Sequence, residues 1–355
     1  MATRQGIQSR FSPLPHFGGG LRWGSFLEIY TDLAQLQGQE VALTIGTFDG
    51  VHRGHQQLIG QAVASARQHG WRSAVLTFTP HPRFVLRPDS PPTLLCTDEE
   101  KQQLIARPGV DLLIVLPFTP ELAAHSTREF AQMLTRHLTL RELWEGADFT
   151  MGHDLLPIDY IAQLGAEMGF AVRVISKYEV DGMAVSSSAI RQAIEVGRMQ
   201  TAATLLGRYY SIRGTVVHGA QRGRQLGYPT ANLDLPANLA LPGNGIYASF
   251  AYLYGSPLPV AEVGAGTPLL SATNVGYRPM FADGSRNVET YIFDFDADIY
   301  DRDLRVAFVA HQRGEEKFAS LEALITQMGE DCRTARATLE QALGQDADIL
   351  RQTFI

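Results

Sequence analysis

The chain has 355 residues, a net charge of −7, 45% hydrophobic residues and 19% charged residues. That length accommodates two domains with ample core, and the acidic balance argues against a nucleic-acid binder, which carries a basic field. It contains no run of about eighteen apolar residues, so no transmembrane helix is expected, and its two cysteines, Cys96 and Cys332, make neither a disulfide framework nor a metal cluster and read as packed free thiols of a reducing cytosol.

Residues 1–26 are polar, with Phe11, Pro13, Pro15 and three consecutive glycines, and they lack a signal-peptide core; a flexible tail is expected. Val41 to Ile45 then reads as a buried strand and Gly54 to His69 as a helix. Between them Gly46-Thr47-Phe48-Asp49-Gly50-Val51-His52-Arg53-Gly54-His55 joins strand to helix through a glycine-bearing turn. Such a turn leaves N–H groups pointing above the helix start, where an anion is favoured. His52 and His55 are three apart and share a helical face, and Asp49 adds a third polar group. Positioned donors of this kind suit transfer at a phosphorus centre, whose transition state gathers charge on phosphoryl oxygens.

Further strands are expected at Ala74 to Phe78, Leu112 to Leu116 and Ala171 to Ile175, with a helix near Thr127 to His137. The fully apolar Leu112 to Leu116 suits the centre of a parallel sheet. Pro80, in Phe78-Thr79-Pro80-His81-Pro82, closes a strand where a ligand crevice would have its wall. Ser186-Ser187-Ser188-Ala189-Ile190-Arg191 opens another helix, which stops near Gly197; its hydroxyls can cap the helix, and Arg191 can fork a phosphate. Strands alternating with helices predict a doubly wound α/β domain, with ligands beyond the carboxyl ends of the strands.

Near Gly207 the pattern changes. Short strands are expected at Tyr210 to Val216, Gly245 to Tyr254, Ser271 to Val275, Val288 to Phe295 and Leu304 to Ala310, separated by Gly and Pro turns. They predict a small antiparallel barrel, followed by a helix from Lys317 to about Leu343. His218 to Asn232 is polar and glycine-rich, with Gly219, Gly223, Gly227 and Pro229. On a strand, Thr230 and Asn232 would share a face and could offer a hydroxyl and an amide oxygen to Mg²⁺. Glu289 lies in an alternating run, where a lone Glu is most often a solvated face residue. Only three basic residues are lysines, Lys101, Lys177 and Lys317, and none follows a glycine-rich loop. The P-loop signature is therefore excluded.

Taken in order, G-T-F-D-G-V-H-R-G-H, F-T-P-H-P, S-S-S-A-I-R, L-L-G-R-Y-Y, G-Y-P-T-A-N, N-V-G-Y-R-P and R-G-E-E-K-F resemble the bifunctional riboflavin kinase/FMN adenylyltransferase family, the bacterial FAD synthetases. The likeness runs from about Leu27 to the end of the chain. It implies a Rossmann-like nucleotidyltransferase domain over residues 27–204 and a barrel kinase domain over residues 205–355. It implies a cytoplasmic enzyme that converts riboflavin to FMN and then FMN to FAD, with ATP as co-substrate, Mg²⁺ as cofactor and pyrophosphate released. By this resemblance His52 and His55 stabilise the α-phosphate of ATP, and Gly46, Phe48, Asp49 and Gly54 belong to the same nucleotide site. Ser187, Ser188 and Arg191 hold the pyrophosphate. Thr230 and Asn232 bind Mg²⁺, the loop with Gly219, Gly223, Gly227 and Pro229 covers the ATP phosphates, and Glu289 is the general base. Pro80, Asp148, Asn274 and Arg313 belong to flavin-binding motifs.

Three positions depart from the family pattern. After Gly146-Ala147-Asp148-Phe149 the family has an aromatic–Gly pair and a basic loop, whereas this chain has Thr150 to Pro157. Ser188 stands where Thr is usual, and Tyr291 where His is common. Beside the bifunctional reading, the first departure leaves the alternative of a monofunctional riboflavin kinase with an impaired adenylyltransferase domain, and a rival from another class is a flavin-binding regulatory protein that keeps the pockets but not the turnover. Small-molecule partners are expected, with no membrane or nucleic acid, and the oligomeric state is open.

Overall fold

The computed structural model describes residues 27–219, 223, 226–254, 268–277 and 286–353. The tail over 1–26, part of the glycine-rich stretch, and Arg278 and Pro279 lie outside the described residues.

The first half runs β1 (Glu28–Tyr30), β2 (Gln39–Ile45), α1 (Arg53–His69), β3 (Arg72–Thr79), α2 (Pro82–Leu86), α3 (Asp98–Ala106), β4 (Leu112–Pro117), α4 (Pro120–Ala123), α5 (Thr127–His137) and β5 (Leu138–Gly146). A small hairpin of β6 (Thr150–Met151) and β7 (Leu156–Pro157) follows, then α6 (Ile158–Met168), β8 (Ala171–Ile175) and a second hairpin of β9 (Glu179–Val180) and β10 (Met183–Ala184). Two helices, α7 (Ser187–Glu195) and α8 (Met199–Leu206), complete this half. Six strands pair in parallel in the order β1-β4-β3-β2-β5-β8. Val41 to Ile45 is buried throughout, because helices cover both faces of the sheet. One face packs against Phe130 and Leu134 of α5 and Ile161 and Leu164 of α6. The other packs against Ile59 and Val63 of α1 and Leu104 and Ile105 of α3.

Strand β5 was not anticipated from the sequence. Its Leu138, Leu140 and Leu143 are buried, but so are Glu142 and Glu145, whose charges mask the strand pattern. Glu142 accepts from Ser65 Oγ (2.5 Å), Trp144 Nε1 (2.8 Å) and Arg173 Nε (2.8 Å). Glu145 Oε1 accepts from the Ile45 amide at 2.7 Å, and burial raises its pKa well above the ordinary carboxylate value. Burial thus favours the neutral acid form of Glu145.

The second half is a closed antiparallel barrel in the order β11-β12-β15-β14-β13-β16. Its strands are β11 (Tyr210–Val217), β12 (Ala231–Asp234), β13 (Gly245–Leu253), β14 (Leu269–Tyr277), β15 (Arg286–Ile292) and β16 (Asp303–Arg313). Alternation, broken by register shifts between β13 and β16, splits their side chains between the barrel interior and an outer face. Val288 and Ile292 point inward, while Tyr291 and Phe293 pack outward with Ala335 and Leu339 of α9 (Leu321–Gln345). That helix starts four residues later than Lys317 because Ser320 caps it, accepting from the Ala323 amide. A last helix, α10 (Ala347–Thr353), follows.

The barrel core does not end at the barrel. Ile190 and Ile194 of α7, Met199, Ala202 and Leu205 of α8, and Leu95 all belong to the same apolar cluster as Val216, Val288 and Phe308. Backbone bonds reinforce the contact: Leu94 donates to Asn238, and Ala240 donates to Leu94.

Candidate functional site

Because the sheet is parallel, β2, β3 and β5 end on one edge, and the chain leaves them there at Gly46, Pro80 and Ala147. The turn after β2 is tight. Phe48, Gly50 and Val51 all have positive φ, at 49°, 75° and 38°. A β-branched residue in that region is a strained outlier, of a kind that concentrates at functional sites. The strain is held by burial of Phe48 and Val51, each 1% exposed. Gly46 lies beside the Phe48 ring, 3.1 Å from where its Cβ would be.

His52 caps α1, its Nδ1 accepting from the His55 amide at 3.3 Å. The two imidazoles stack with centroids 3.5 Å apart and planes 15° from parallel. Gly54 keeps the space beside the His52 ring, its absent Cβ 3.4 Å from that ring. Burial lowers the pKa of His52 to about 4 and lowers that of His55 well below the usual histidine value, with the His52 charge adding to the second effect. Both rings are thus neutral at neutral pH. Since His52 Nδ1 accepts, its proton resides on Nε2, which is a donor.

Asp49 and Arg191 meet in an ion pair that joins the turn to α7. Asp49 also accepts from the Leu95 amide at 2.8 Å, and Arg191 Nε donates to the Thr93 carbonyl. Ser186 caps α7, Ser187 donates to the Asp49 carbonyl at 3.0 Å, and Ser188 is exposed. Asp148 lies on the exposed rim, paired with Lys177 at 3.1 Å. The atypical stretch from Thr150 to Pro157 is an ordered hairpin docked on the start of α5. Asp154 Oδ1 accepts from the Thr127 amide (2.9 Å) and hydroxyl (2.7 Å). Gly152 packs so closely there that a Cβ would lie 2.2 Å from the Thr127 nitrogen.

The barrel carries a second cluster on its outer face. Glu289 pairs across the sheet with Asn232 on one side and Asn274 on the other. Thr230, one residue before β12, directs its hydroxyl to Glu289 Oε2 at 3.5 Å. Asn287 Nδ2 bridges Asn232 Oδ1 (3.0 Å) and Glu289 Oε1 (2.6 Å). Gly219 backs onto this group, its missing Cβ only 2.3 Å from Asn232 Nδ2. A Cβ on Gly223 would lie 2.3 Å from the Tyr228 carbonyl oxygen, Gly227 has φ +83°, and Pro229 is exposed beside Thr230. Arg313 ends β16 and is held by Asp331 of α9 through Nε (2.8 Å) and Nη2 (2.7 Å). Hard oxygen donors from Thr230 and Asn232, beside a carboxylate, fit Mg²⁺, which completes its shell with water and phosphate. Sequence reasoning missed Asn287. Its signal was its position two residues before Glu289, which on a strand means the same face.

These clusters, one on a parallel sheet and one on a barrel, define a two-domain transferase acting at phosphate groups. Residues 34–189 match the FAD synthetase family and residues 206–339 the riboflavin kinase family. The protein named bifunctional riboflavin kinase/FMN adenylyltransferase in Pseudomonas fluorescens is 36% identical over 297 residues, covering 83% of this chain and 91% of that protein. Its namesakes in Escherichia coli K12 and Bacillus subtilis are each 33% identical and span 95% and 90% of their own lengths, against 86% and 82% of this chain. The chain belongs to the bifunctional riboflavin kinase/FMN adenylyltransferase family. A crystal structure described as a macrolide-efflux protein from Streptococcus pneumoniae superposes with a TM-score of 0.76 at 28% identity, covering 87% of this chain and 98% of that one. Among the described residues no helix is long and apolar enough to cross a membrane.

Proposed function

We propose that the barrel cluster phosphorylates riboflavin and that the α1 cluster adenylylates the resulting FMN, with the division between the two units near residue 204. The observation that carries this reading is the presence of both clusters, each assembled from separate elements, in one chain of this family. In the first reaction Glu289 takes the proton of the ribityl 5′-hydroxyl. The oxygen attacks the γ-phosphorus of ATP, and the bond to ADP breaks. Asn287, bonded to both Glu289 and Asn232, fixes the base relative to the metal donors. Mg²⁺ on Thr230 and Asn232 would neutralise charge on the phosphates. Asn274 and Arg313 lie at the flavin end.

In the second reaction an FMN phosphate oxygen attacks the α-phosphorus of another ATP, and pyrophosphate leaves. His52 Nε2–H donates to the α-phosphate, and the amides at the start of α1 add the favourable end of the helix dipole. Ser187, Ser188 and Arg191 receive the pyrophosphate. Arg191 Nη1 takes no part in its bonds to Asp49 and Thr93, so it can still donate to the anion. Pro80 and Asp148 border the flavin. Cytoplasm is the compartment we propose, because the cysteines Cys96 and Cys332 are free thiols and form no disulfide framework.

The test is to supply riboflavin, ATP and Mg²⁺ and resolve the flavins by chromatography. FMN followed by FAD is expected. The Glu289→Ala variant should leave riboflavin unused while still converting added FMN. Unimpaired phosphorylation by that variant would remove Glu289 from its role.

A further inference from the structure

A cleft of about 400 Å³ opens beside Val51 and Arg53, the neighbours of His52, where the first turn of α1, the end of α3 and the last helix α10 converge. Arg53, Gln56, Arg107, Gly207, Asp348 and Gln352 are among the residues that line it. Among the described residues the surroundings carry more arginines than carboxylates. Behind Arg107 stand Arg208 and Arg305, close enough for their charges, after burial, to push its pKa down to about 9.

Arg208 is only 7% exposed; its Nη2 donates to the Gly50 carbonyl at 2.7 Å, while its Nη1 is buried without a partner among the described residues. Arg305 pairs with Glu100 at 3.1 Å, and among the described residues its Nε has no hydrogen-bond partner, nor has Nε of Arg107. Among the described residues, Arg53, Arg107, Arg208 and Arg305 are faced by Glu100 and Asp348; Asp348 already faces Arg351 at 3.3 Å, and Arg107 Nη1 donates to Gln352 Oε1 at 3.2 Å. Arg208 is the buried cation here without a carboxylate partner among the described residues, and such a charge is costly unless an anion meets it. Arginine forks match phosphate oxygens in particular.

The cleft also has room made for it. A Cβ on Gly207 would meet Arg53 Nε at 3.2 Å and Gln56 Oε1 at 3.5 Å. Gln56 Nε2 donates both to Val51 in the catalytic turn (2.8 Å) and to Leu206 at the end of α8 (2.9 Å). From these contacts we infer that the cleft binds a phosphate oxyanion, free or carried on a small molecule, and that the bound anion clamps the α/β half to the C-terminal helix. Arg53 and Gln56 directly follow His52 and His55, so the occupant touches the helix turn that presents them.

The test is a thermal melt of the full chain, at constant ionic strength, titrated with inorganic phosphate, pyrophosphate or AMP. A saturable rise in Tm is expected with at least one of them. A response to inorganic phosphate identifies a bare oxyanion site, one confined to pyrophosphate a diphosphate site, and one confined to AMP a nucleoside monophosphate site. The midpoint concentration should rise tenfold or more in Arg107→Ala, fall severalfold in Asp348→Asn, and persist in Arg191→Ala, which alters the proposed pyrophosphate contact of the nucleotide site. A response abolished by Arg191→Ala and untouched by the other two changes would place the anion in the nucleotide site and overturn the inference. So would the absence of any saturable response. Should Arg107→Ala fail to fold, Asp348→Asn decides alone, since the Asp348 side chain is 95% exposed; an unchanged midpoint there also refutes it.

Discussion

His52 and His55 are polar residues held in an apolar setting, and the setting decides what they can do. A histidine poised near pH 6.5 would serve as an acid or base. Burial and mutual stacking keep these two neutral, so they are suited to donating hydrogen bonds to a charge that develops on phosphate. In the free enzyme their protonation lies at or below about pH 4 for His52. The pH profile of kcat/KM for ATP in FAD formation should therefore show no acid limb near 6.5 that vanishes in His52→Ala. The same variant should lose about a hundredfold or more in FAD formation and keep riboflavin phosphorylation. Gly219 offers a matching test in the barrel. Its Cβ would press on the Asn232 amide at 2.3 Å, and displacing a ligand by about 1 Å costs on the order of a hundredfold in rate. Gly219→Ala should slow FMN formation by about that factor without changing the conversion of added FMN to FAD. Parallel loss of both activities would point to a general folding defect instead.

At the scale of elements, β5 shows where sequence legibility ends. Apolar runs such as Leu112 to Leu116 announce a parallel strand because both faces are buried. Residues 138–146 occupy a place beside β2, yet they carry two glutamates that only the tertiary structure neutralises. Glu145 accepts one amide hydrogen bond at the point where β2 enters the catalytic turn. Its folded pKa is raised well above 4.5, so it stays protonated in the fold and ionises on unfolding. Its contribution to stability is present below pH 4.5 and is lost as pH rises through the folded value. Glu145→Gln keeps a carbonyl acceptor and removes this titration. The Tm difference in favour of the variant should be larger at pH 8 than at pH 5. An equal difference at both pH values would show that Glu145 does not titrate abnormally. The turn itself was readable as a turn, since glycines fall between an apolar strand and a helix. Its strain at Val51 was not, because φ depends on what packs over the residue.

At the scale of the molecule, the change of pattern near Gly207 marked two halves correctly in kind, as the parallel sheet and the closed barrel show. Packing divides them elsewhere. The helices α7 and α8 end the α/β half in sequence, and Ser187 and Arg191 of α7 bond to Asp49 in the turn after β2. Their apolar faces nevertheless join the barrel cluster through Ile190, Ile194, Met199 and Leu205, each 2% exposed or less. Alternation and helical period identify a buried face but not what buries it, so this partnership was invisible before the fold was known. It has a measurable consequence. Burying each such side chain is worth about 1.5–3 kcal/mol, and a barrel that loses α7 and α8 exposes the surface they cover. A fragment of residues 186–353 should melt at least about 5 °C above one of residues 207–353, although the longer fragment carries extra helices from the α/β half. The shorter fragment should also bind more of a hydrophobic dye such as ANS, because Tyr210 and Phe308 lie in the cluster it uncovers. Equal melting temperatures would mean that α7 and α8 only rest on the barrel and that its stability is set within its six strands.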